Sequence, residues 1–219
     1  MTVVIRPEHV SVAVTLPTIT TDLLERTETG HRTEFLYDDG DNDEVAVCAA
    51  HGGGIEPGTG EQAVELAVRL RDATCWACLG YDRETNEFEQ FHETSTAIDP
   101  GDYPLLDAIA DRGFETVLSF HGLADEGLVV GGGIDERVKR LVGERLDDVV
   151  TPDARVVSEG QYAGMSDDNF VNWLAAGPGG GLQIEQGPTV RVEESGVVVD
   201  VLEDLLASGS FDRYPPGRD

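Results

Sequence analysis

Short apolar runs alternate with amphipathic stretches along this chain. Residues 44–50, 74–79 and 115–120 are runs of this kind, too short for helices and flanked by acidic, glycine or other turn residues, which predicts buried strands. Between them, residues 59–71 place Ala63, Leu66, Ala67 and Leu70 at helical spacing. Thr59 or Gly58 would cap that helix, with Glu61 in its first turn. Residues 103–112 repeat the helical period and stop at Gly113. Further strands are predicted at 128–130, 154–157 and 182–185, an amphipathic helix at 135–149 and a last helix at 197–206. Residues 87–92 alternate in polarity and predict a more exposed strand. The first forty residues give no readable period, residues 38–44 read as an acidic turn, and the tail from Ser208 is predicted to fray.

Strands alternating with helices imply the α/β class, a sheet with helices on both faces and ligands bound beyond the strand ends at a topological switch point. There is no internal repeat and no Gly/Pro stretch long enough to act as a linker. One catalytic domain over residues 1–219 is therefore expected, with 208–219 as its frayed tail.

Composition changes the picture in one respect. The 219 residues include 43 acidic against 15 basic ones, a net charge of −28, and Lys139 is the only lysine. Such a surface repels nucleic acid and anionic membrane, which excludes both as expected partners. It suits a high-salt medium, where carboxylates hold water and salt screens their repulsion, so a halophilic source or a virus of one is inferred, a merely acidic mesophilic protein being the plainer alternative. Residues 1–10 carry Arg6, Glu8 and His9 and show no signal-peptide core. No apolar run reaches transmembrane length. A soluble protein is expected, cytoplasmic or virus-associated. Cys48, Cys75 and Cys78 are an odd number and no complete disulfide framework. The CxxC of Cys75 and Cys78 lies in an apolar run, where buried thiols are the commoner explanation.

The candidate chemistry sits at strand ends. His51 closes an apolar strand, Gly52, Gly53 and Gly54 follow, and Glu56 stands five positions on; His121 closes another strand before Gly122. Two histidines and a carboxylate form a three-ligand zinc set that leaves one position open, as in catalytic zinc. Glu185 closes a third apolar strand, where desolvation raises a carboxyl pKa, and is the candidate general base. Ser95 and Thr96 are candidates to hydrogen-bond substrate or are turn residues. The glycine triplet at 131–133 lacks a Walker lysine and reads as a strand-to-helix turn. His92 is expected not to be a ligand, and His9 and His31 are assigned no role.

These residues also fall in blocks: HGGGIEPGTGE from His51, FHETSTAIDP from Phe91, SFHG from Ser119, VVGGGIDERV from Val129, DNFVNW from Asp168 and GGLQIEQGPTVR from Gly180. In content and order, over roughly residues 44 to 191, the chain resembles the poly-γ-glutamate hydrolase family, zinc-dependent hydrolases related in fold to zinc carboxypeptidases. The resemblance implies a three-layer α/β/α fold with a mixed central sheet. It also implies zinc (Zn2+) held by His51, Glu56 and His121, Glu185 as general base, and cleavage of the γ-amide linkage in poly-γ-glutamate or a similar acidic polymer. It leads one to expect an Asn-Arg pair gripping a substrate carboxylate where Asn172-Trp173 stands. Trp173 brings no charge, and Arg191 either compensates or is a surface residue. Two alternatives follow: a zinc hydrolase of small N-acyl amino acids or peptides, and a non-catalytic binding or structural module on the same fold.

Overall fold

In a computed structural model, residues 16–40, 43–176 and 180–211 are described. The chain runs β1 (Thr18–Arg26), β2 (Gly30–Asp38), β3 (Val45–Gly53), α1 (Thr59–Leu70), β4 (Ala73–Asp82), α2 (Glu87–Phe91), α3 (Pro104–Ala110), β5 (Thr116–Gly122), β6 (Leu128–Gly131), α4 (Glu136–Asp147), β7 (Ala154–Val156), α5 (Phe170–Trp173), β8 (Leu182–Gln186) and α6 (Ser195–Ala207). The strands form one mixed sheet in the order β1-β2-β4-β3-β5-β8-β6-β7. β4, β3, β5 and β8 are mutually parallel, whereas β2 pairs antiparallel with both β1 and β4, and β6 pairs antiparallel with β8.

The central strands are apolar throughout because both faces are covered. Val47, Ala49, Leu118, Phe120, Leu182 and Ile184 pack on one face under α1, α4 and α6. Ala46, Cys48, Ala50, Trp76 and Val117 pack on the other, under α3 and α5. The three-layer α/β/α architecture and mixed sheet expected from the sequence are thus present. Cys75 faces one core and Cys78 the other, so period-two alternation holds the CxxC pair on opposite faces; all three thiols are buried and free.

Two elements differ from expectation. Residues 87–92 are not a strand: Asn86 accepts hydrogen bonds from the N–H groups of Phe88 and Glu89 and starts the short helix α2. The opening residues, unreadable as sequence, form the β1–β2 hairpin at the sheet edge, so exposed that Ile19 and Leu23 face solvent. Buried Glu34 of β2 secures that hairpin by accepting from the N–H groups of Leu105 and Leu106 at the start of α3 and from the Trp76 indole. The part of the expected frayed tail that is described folds back at the end of α6, where Ser210 and Phe211 are buried. Residues 1–10, with His9, and residues 212–219 lie outside the described residues.

Lys139 does not contribute to the surface. It is fully buried, pairing with Glu136 at 2.5 Å and donating to the Gly132 carbonyl at 3.1 Å. Among the described residues no helix is long and apolar enough to cross a membrane.

With a net charge of −28, self-repulsion among carboxylates opposes the compact state until salt shortens the screening length, about 10 Å at 0.1 M and about 3 Å at 1 M. The thermal midpoint is expected to rise by at least about 10 °C between 0.1 M and 2 M KCl. A midpoint that stays flat or falls across that range contradicts this account.

Candidate functional site

The chain visits β4 on one side of β3 and then β5 on the other, so the ends of β3 and β5 flank a switch point in the sheet. β3 delivers His51 there. Gly53 then turns the chain at a φ of 69°, where a side chain would press on the Gly80 carbonyl. The loop closes on itself: the Glu56 N–H donates to the His51 carbonyl at 2.8 Å, and the Thr59 hydroxyl to the Glu56 carbonyl at 2.9 Å. This second bond explains why Gly58, not Thr59, stands at the helix N-cap, without a side-chain cap. The turn folds the Glu56 carboxylate back towards its own histidine.

His51, Glu56 and His121 are all buried. His51 Nδ1 lies 3.1 Å from Glu56 Oε2 and 3.2 Å from His121 Nδ1, and His121 Nδ1 lies 4.0 Å from that same Oε2. Their other ring nitrogens are engaged. His51 Nε2 sits 2.6 Å from the Glu93 carbonyl, which can only accept, so Nε2 carries the proton and Nδ1 keeps its lone pair. Ser119 Oγ is 2.9 Å from His121 Nε2 and, as a hydroxyl, serves either tautomer. With Nε2–H donating to Ser119, both Nδ1 lone pairs and a carboxylate oxygen meet at one point. Neutral imidazole nitrogens and a carboxylate are donors that suit a borderline cation such as zinc. The residues present fit a metal.

The electrostatics agree with the geometry. Burial, followed by the close approach of His51, holds His121 down to about 3, so the ring is neutral near pH 7. Burial alone would raise Glu56, but His51, His121 and the Gly122 N–H outweigh it and hold the carboxyl below its ordinary range. A second trio is possible on distance: His92 can offer a nitrogen to the same centre as His51 and Glu56, with all three ligand atoms within 4.8 Å. His92 is the weaker third member. Its Nε2 is 3.8 Å from Glu56 Oε1, it is partly exposed, and its ring stacks between Phe88 and His51. His121 points directly at the shared point from a buried strand end. His92, expected to be no ligand, thus lies within ligand distance of the same centre.

Glu185 ends β8 in register with His121. Gln183 donates to its Oε1 at 2.9 Å and is itself held by the Asn169 amide at 3.0 Å and the Tyr162 carbonyl at 3.2 Å. Burial pushes the Glu185 carboxyl up to about 8, with the negative charge of Glu56 adding to it. A carboxyl poised near neutrality beside a metal-ligand trio can take up and return a proton.

The expected substrate contacts fare unevenly. Asn172 is a correction. Its Oδ1 accepts from Gly133 N and Gly181 N at 3.0 and 3.1 Å, and its Nδ2 donates to Gly164 O and Ser166 O at 2.7 and 2.8 Å. All four hydrogen-bonding positions are filled by backbone, so Asn172 clamps loops together and has none left for substrate. Trp173 and Thr96 line a cavity of about 470 Å³ with Asp99, Asp167 and Asp168. Ser95 gives its carbonyl to Phe170 N at 3.1 Å. Arg191, half-buried in a π-helical turn (Thr189–Glu193), lies against Gly122, and its Nε is buried without a partner among the described residues. His31 lies on β2 beside Tyr81.

Five supporting residues escaped the sequence reading. Ser119 and Gln183 precede His121 and Glu185 by two positions, so strand periodicity places each on the same face as its partner, a signal that was there to use. Glu93 supports His51 through its carbonyl, and Arg32 and Tyr103 anchor its side chain at 2.8 Å each; nothing in the sequence announces that network.

A buried two-histidine, one-carboxylate centre beside a carboxyl of raised pKa, at the switch point of an α/β sheet, is an arrangement suited to metal-assisted hydrolysis. Residues 19–193 match the model of the family described as poly-gamma-glutamate hydrolase, and the chain belongs to that family, whose members act on amide bonds. The UPF0714 protein YndL of Bacillus subtilis is 33% identical over 155 residues, covering 70% of this chain and 57% of that relative's length. Two solved structures share the fold. A bacteriophage poly-gamma-glutamate hydrolase is 20% identical at a TM-score of 0.62, covering 90% of this chain and 91% of its own. The zinc-free apo form of YndL is 22% identical at a TM-score of 0.62, covering 91% and 93%.

Replacing Asn172 with Ala is expected to cost about 2–3 kcal/mol in denaturant unfolding, because backbone groups it serves lose their partners. A loss under about 0.5 kcal/mol contradicts the clamp. Glu185 yields a pH signature in metal-free protein. Its folded pKa of about 8 exceeds its ordinary 4.5, so the folded state holds a proton that the unfolded state has lost between those values. Stability from this group is therefore present below pH 4.5 and drains away as pH rises towards 8. Metal-free Glu185→Gln should gain on the wild type by an amount that grows from about pH 5.5 to about pH 8, reaching on the order of 2 kcal/mol. A gap independent of pH, measured by thermal melts, contradicts the raised pKa.

Proposed function

We propose that this protein is a zinc-dependent hydrolase that cleaves γ-glutamyl amide bonds of poly-γ-glutamate or a similar acidic polymer, from a single catalytic domain. The observation that carries this reading is the convergence of His51 Nδ1, His121 Nδ1 and Glu56 Oε2 within 3.1–4.0 Å, with His121 paired in register to Glu185 on the neighbouring strand. His51, Glu56 and His121 would hold the metal, and a set of three leaves one position for water or substrate. Bound zinc would supply Lewis acidity to the amide carbonyl and make water acidic enough to ionise near neutral pH. That a relative's structure is distinguished as zinc-free supports zinc over other divalent metals.

Glu185 takes the proton from the attacking water and delivers it to the nitrogen of the leaving amine. Gln183 engages Oε1, which leaves Oε2 as the oxygen that exchanges the proton. A raised pKa suits both halves of that cycle: too low a value would not return the proton, and too high a value would not accept it. The Glu93 carbonyl and Ser119 fix the two imidazoles and keep their Nδ1 atoms directed at the metal position.

Family membership supports the polymer substrate. An acidic enzyme and an acidic polymer repel each other at long range, and molar salt removes that repulsion while contact interactions persist. A high-salt host, or a virus of one, reconciles the two. A second reading, hydrolysis of a small N-acyl amino acid or peptide, draws on Trp173, which stands among Asp99, Asp167 and Asp168 where a cationic grip was expected.

Purified protein should carry one zinc per chain and cleave γ-linked glutamate oligomers. Glu185→Gln should keep the zinc and lose turnover by about 10²–10⁴-fold. Protein without stoichiometric metal, or a Glu185→Gln variant of undiminished turnover, overturns the reading. Cleavage of small N-acyl amino acids alone selects the second one.

A further inference from the structure

The ladder registers place four residues in one transverse row on the site's face of the sheet. His121 pairs with Glu185, Glu185 with Val129, and Val129 with Arg155, crossing β5, β8, β6 and β7. Residues paired in this way point to the same side, and here that side is opposite Leu118, Ile184 and Val130, which face the core under α1, α4 and α6. At about 4.8 Å per strand, the Arg155 backbone stands about 10 Å beyond that of Glu185 and about 14 Å beyond that of His121. Val129 lies between Glu185 and Arg155.

A cavity of about 460 Å³ opens over this end of the row, lined by Leu123, Gly127, Val129, Arg155 and Tyr162 among others. Leu123 of its wall follows His121 by two residues and donates its N–H to the carbonyl of Gln186, the residue after Glu185. The cavity adjoins Glu185 more closely: the Gln183 amide nitrogen that donates to Glu185 also donates to the carbonyl of Tyr162, so one NH2 group joins the cavity wall to the carboxyl. That wall is held in place. Tyr162 has a φ of 69°, the left-handed region that a residue with a side chain seldom adopts. Its carbonyl lies so near Gly131 that a Cβ there would come within 2.5 Å of it.

Resting on the hydrolase reading above, we propose that Arg155 forms an anion-binding subsite that takes a carboxylate of the substrate on the Glu185 side of the scissile amide. Arg155 is exposed and makes no ion pair with the described residues, so its charge is available. Its planar fork matches a carboxylate through two parallel hydrogen bonds. Three acids also border the cavity, Asp125, Glu126 and Asp153. Glu126 is committed to the N–H and hydroxyl of Thr189. Asp125 and Asp153 remain exposed and oppose any negative charge that does not sit on the guanidinium, which restricts the subsite to one carboxylate. The grip that Trp173 cannot supply is thus provided from another strand.

Binding and cleavage test this separately. Titration calorimetry of γ-linked triglutamate is run on Glu185→Gln and on Glu185→Gln/Arg155→Gln, both zinc-loaded and in the same salt. The second is expected to bind at least 10-fold more weakly, and a Glu185→Gln/Arg155→Lys protein to fall between them, since lysine keeps the charge but not the fork. In the Glu185-intact enzyme, Arg155→Gln should lower, by at least 10-fold, the preference in kcat/KM for the free-acid oligomer over its carboxamide analogue. Equal affinity of the two Gln variants, or no measurable binding by Glu185→Gln itself, overturns the subsite. Arg155-dependent binding in a protein whose wild type cleaves no γ-linked oligomer supports the subsite and removes the hydrolase reading instead.

Discussion

Three electron pairs that share one small buried space repel one another, and most of the local structure serves to hold them there. Two imidazole nitrogens face each other at 3.2 Å with a carboxylate oxygen 3.1 Å from one of them. A bound cation would turn that repulsion into coordination, and metal affinity and fold stability would then be two readings of one free energy. The glycine turn after β3, the Glu93 carbonyl and the Ser119 hydroxyl restrict the three donors to that geometry.

Charge is arranged on two scales. Over the surface, carboxylates outnumber cations almost threefold, and their mutual repulsion is a matter for the solvent. Inside, two buried charged groups have defined partner sets: Glu34 takes two N–H groups at the start of α3 and the Trp76 indole, and Lys139 secures the Gly132 carbonyl beside β6. Glu185 is the exception by design of its surroundings. It is buried with one amide partner and another carboxylate nearby, and its proton affinity rises accordingly.

The parts of the site carried by buried strands were readable from sequence, because a polar residue that ends an unbroken apolar run can only lie at a sheet end. That rule places His51, His121 and Glu185 near strand ends, where the structure has them. The hairpin β1–β2 was not, since an exposed edge ladder buries too few residues on one face to leave a period. The segment 87–92 alternates in polarity by coincidence, and the Asn86 cap, a local signal, overrides the pattern. Asn172 was misassigned for a different reason. Its neighbours are backbone groups from loops distant in sequence, and no spacing rule reveals that four of them converge on one amide.

Gly58 and Arg191 have a consequence of their own. The Arg191 carbonyl abuts Gly58, whose φ of 99° and missing side chain permit the approach, and it also accepts from Gln62. Gly58 ends the loop that carries Glu56, and Arg191 lies in the turn that leaves β8. The path from β3 through β5 to β8 thus returns to its start through this contact, making a closed frame with His51, Glu56, His121 and Glu185 on its rim. In a closed frame no side can lengthen unless another yields. The connections at 54–58 and 187–191 are therefore matched in length, and a residue added to either would have to be accommodated by the whole circuit.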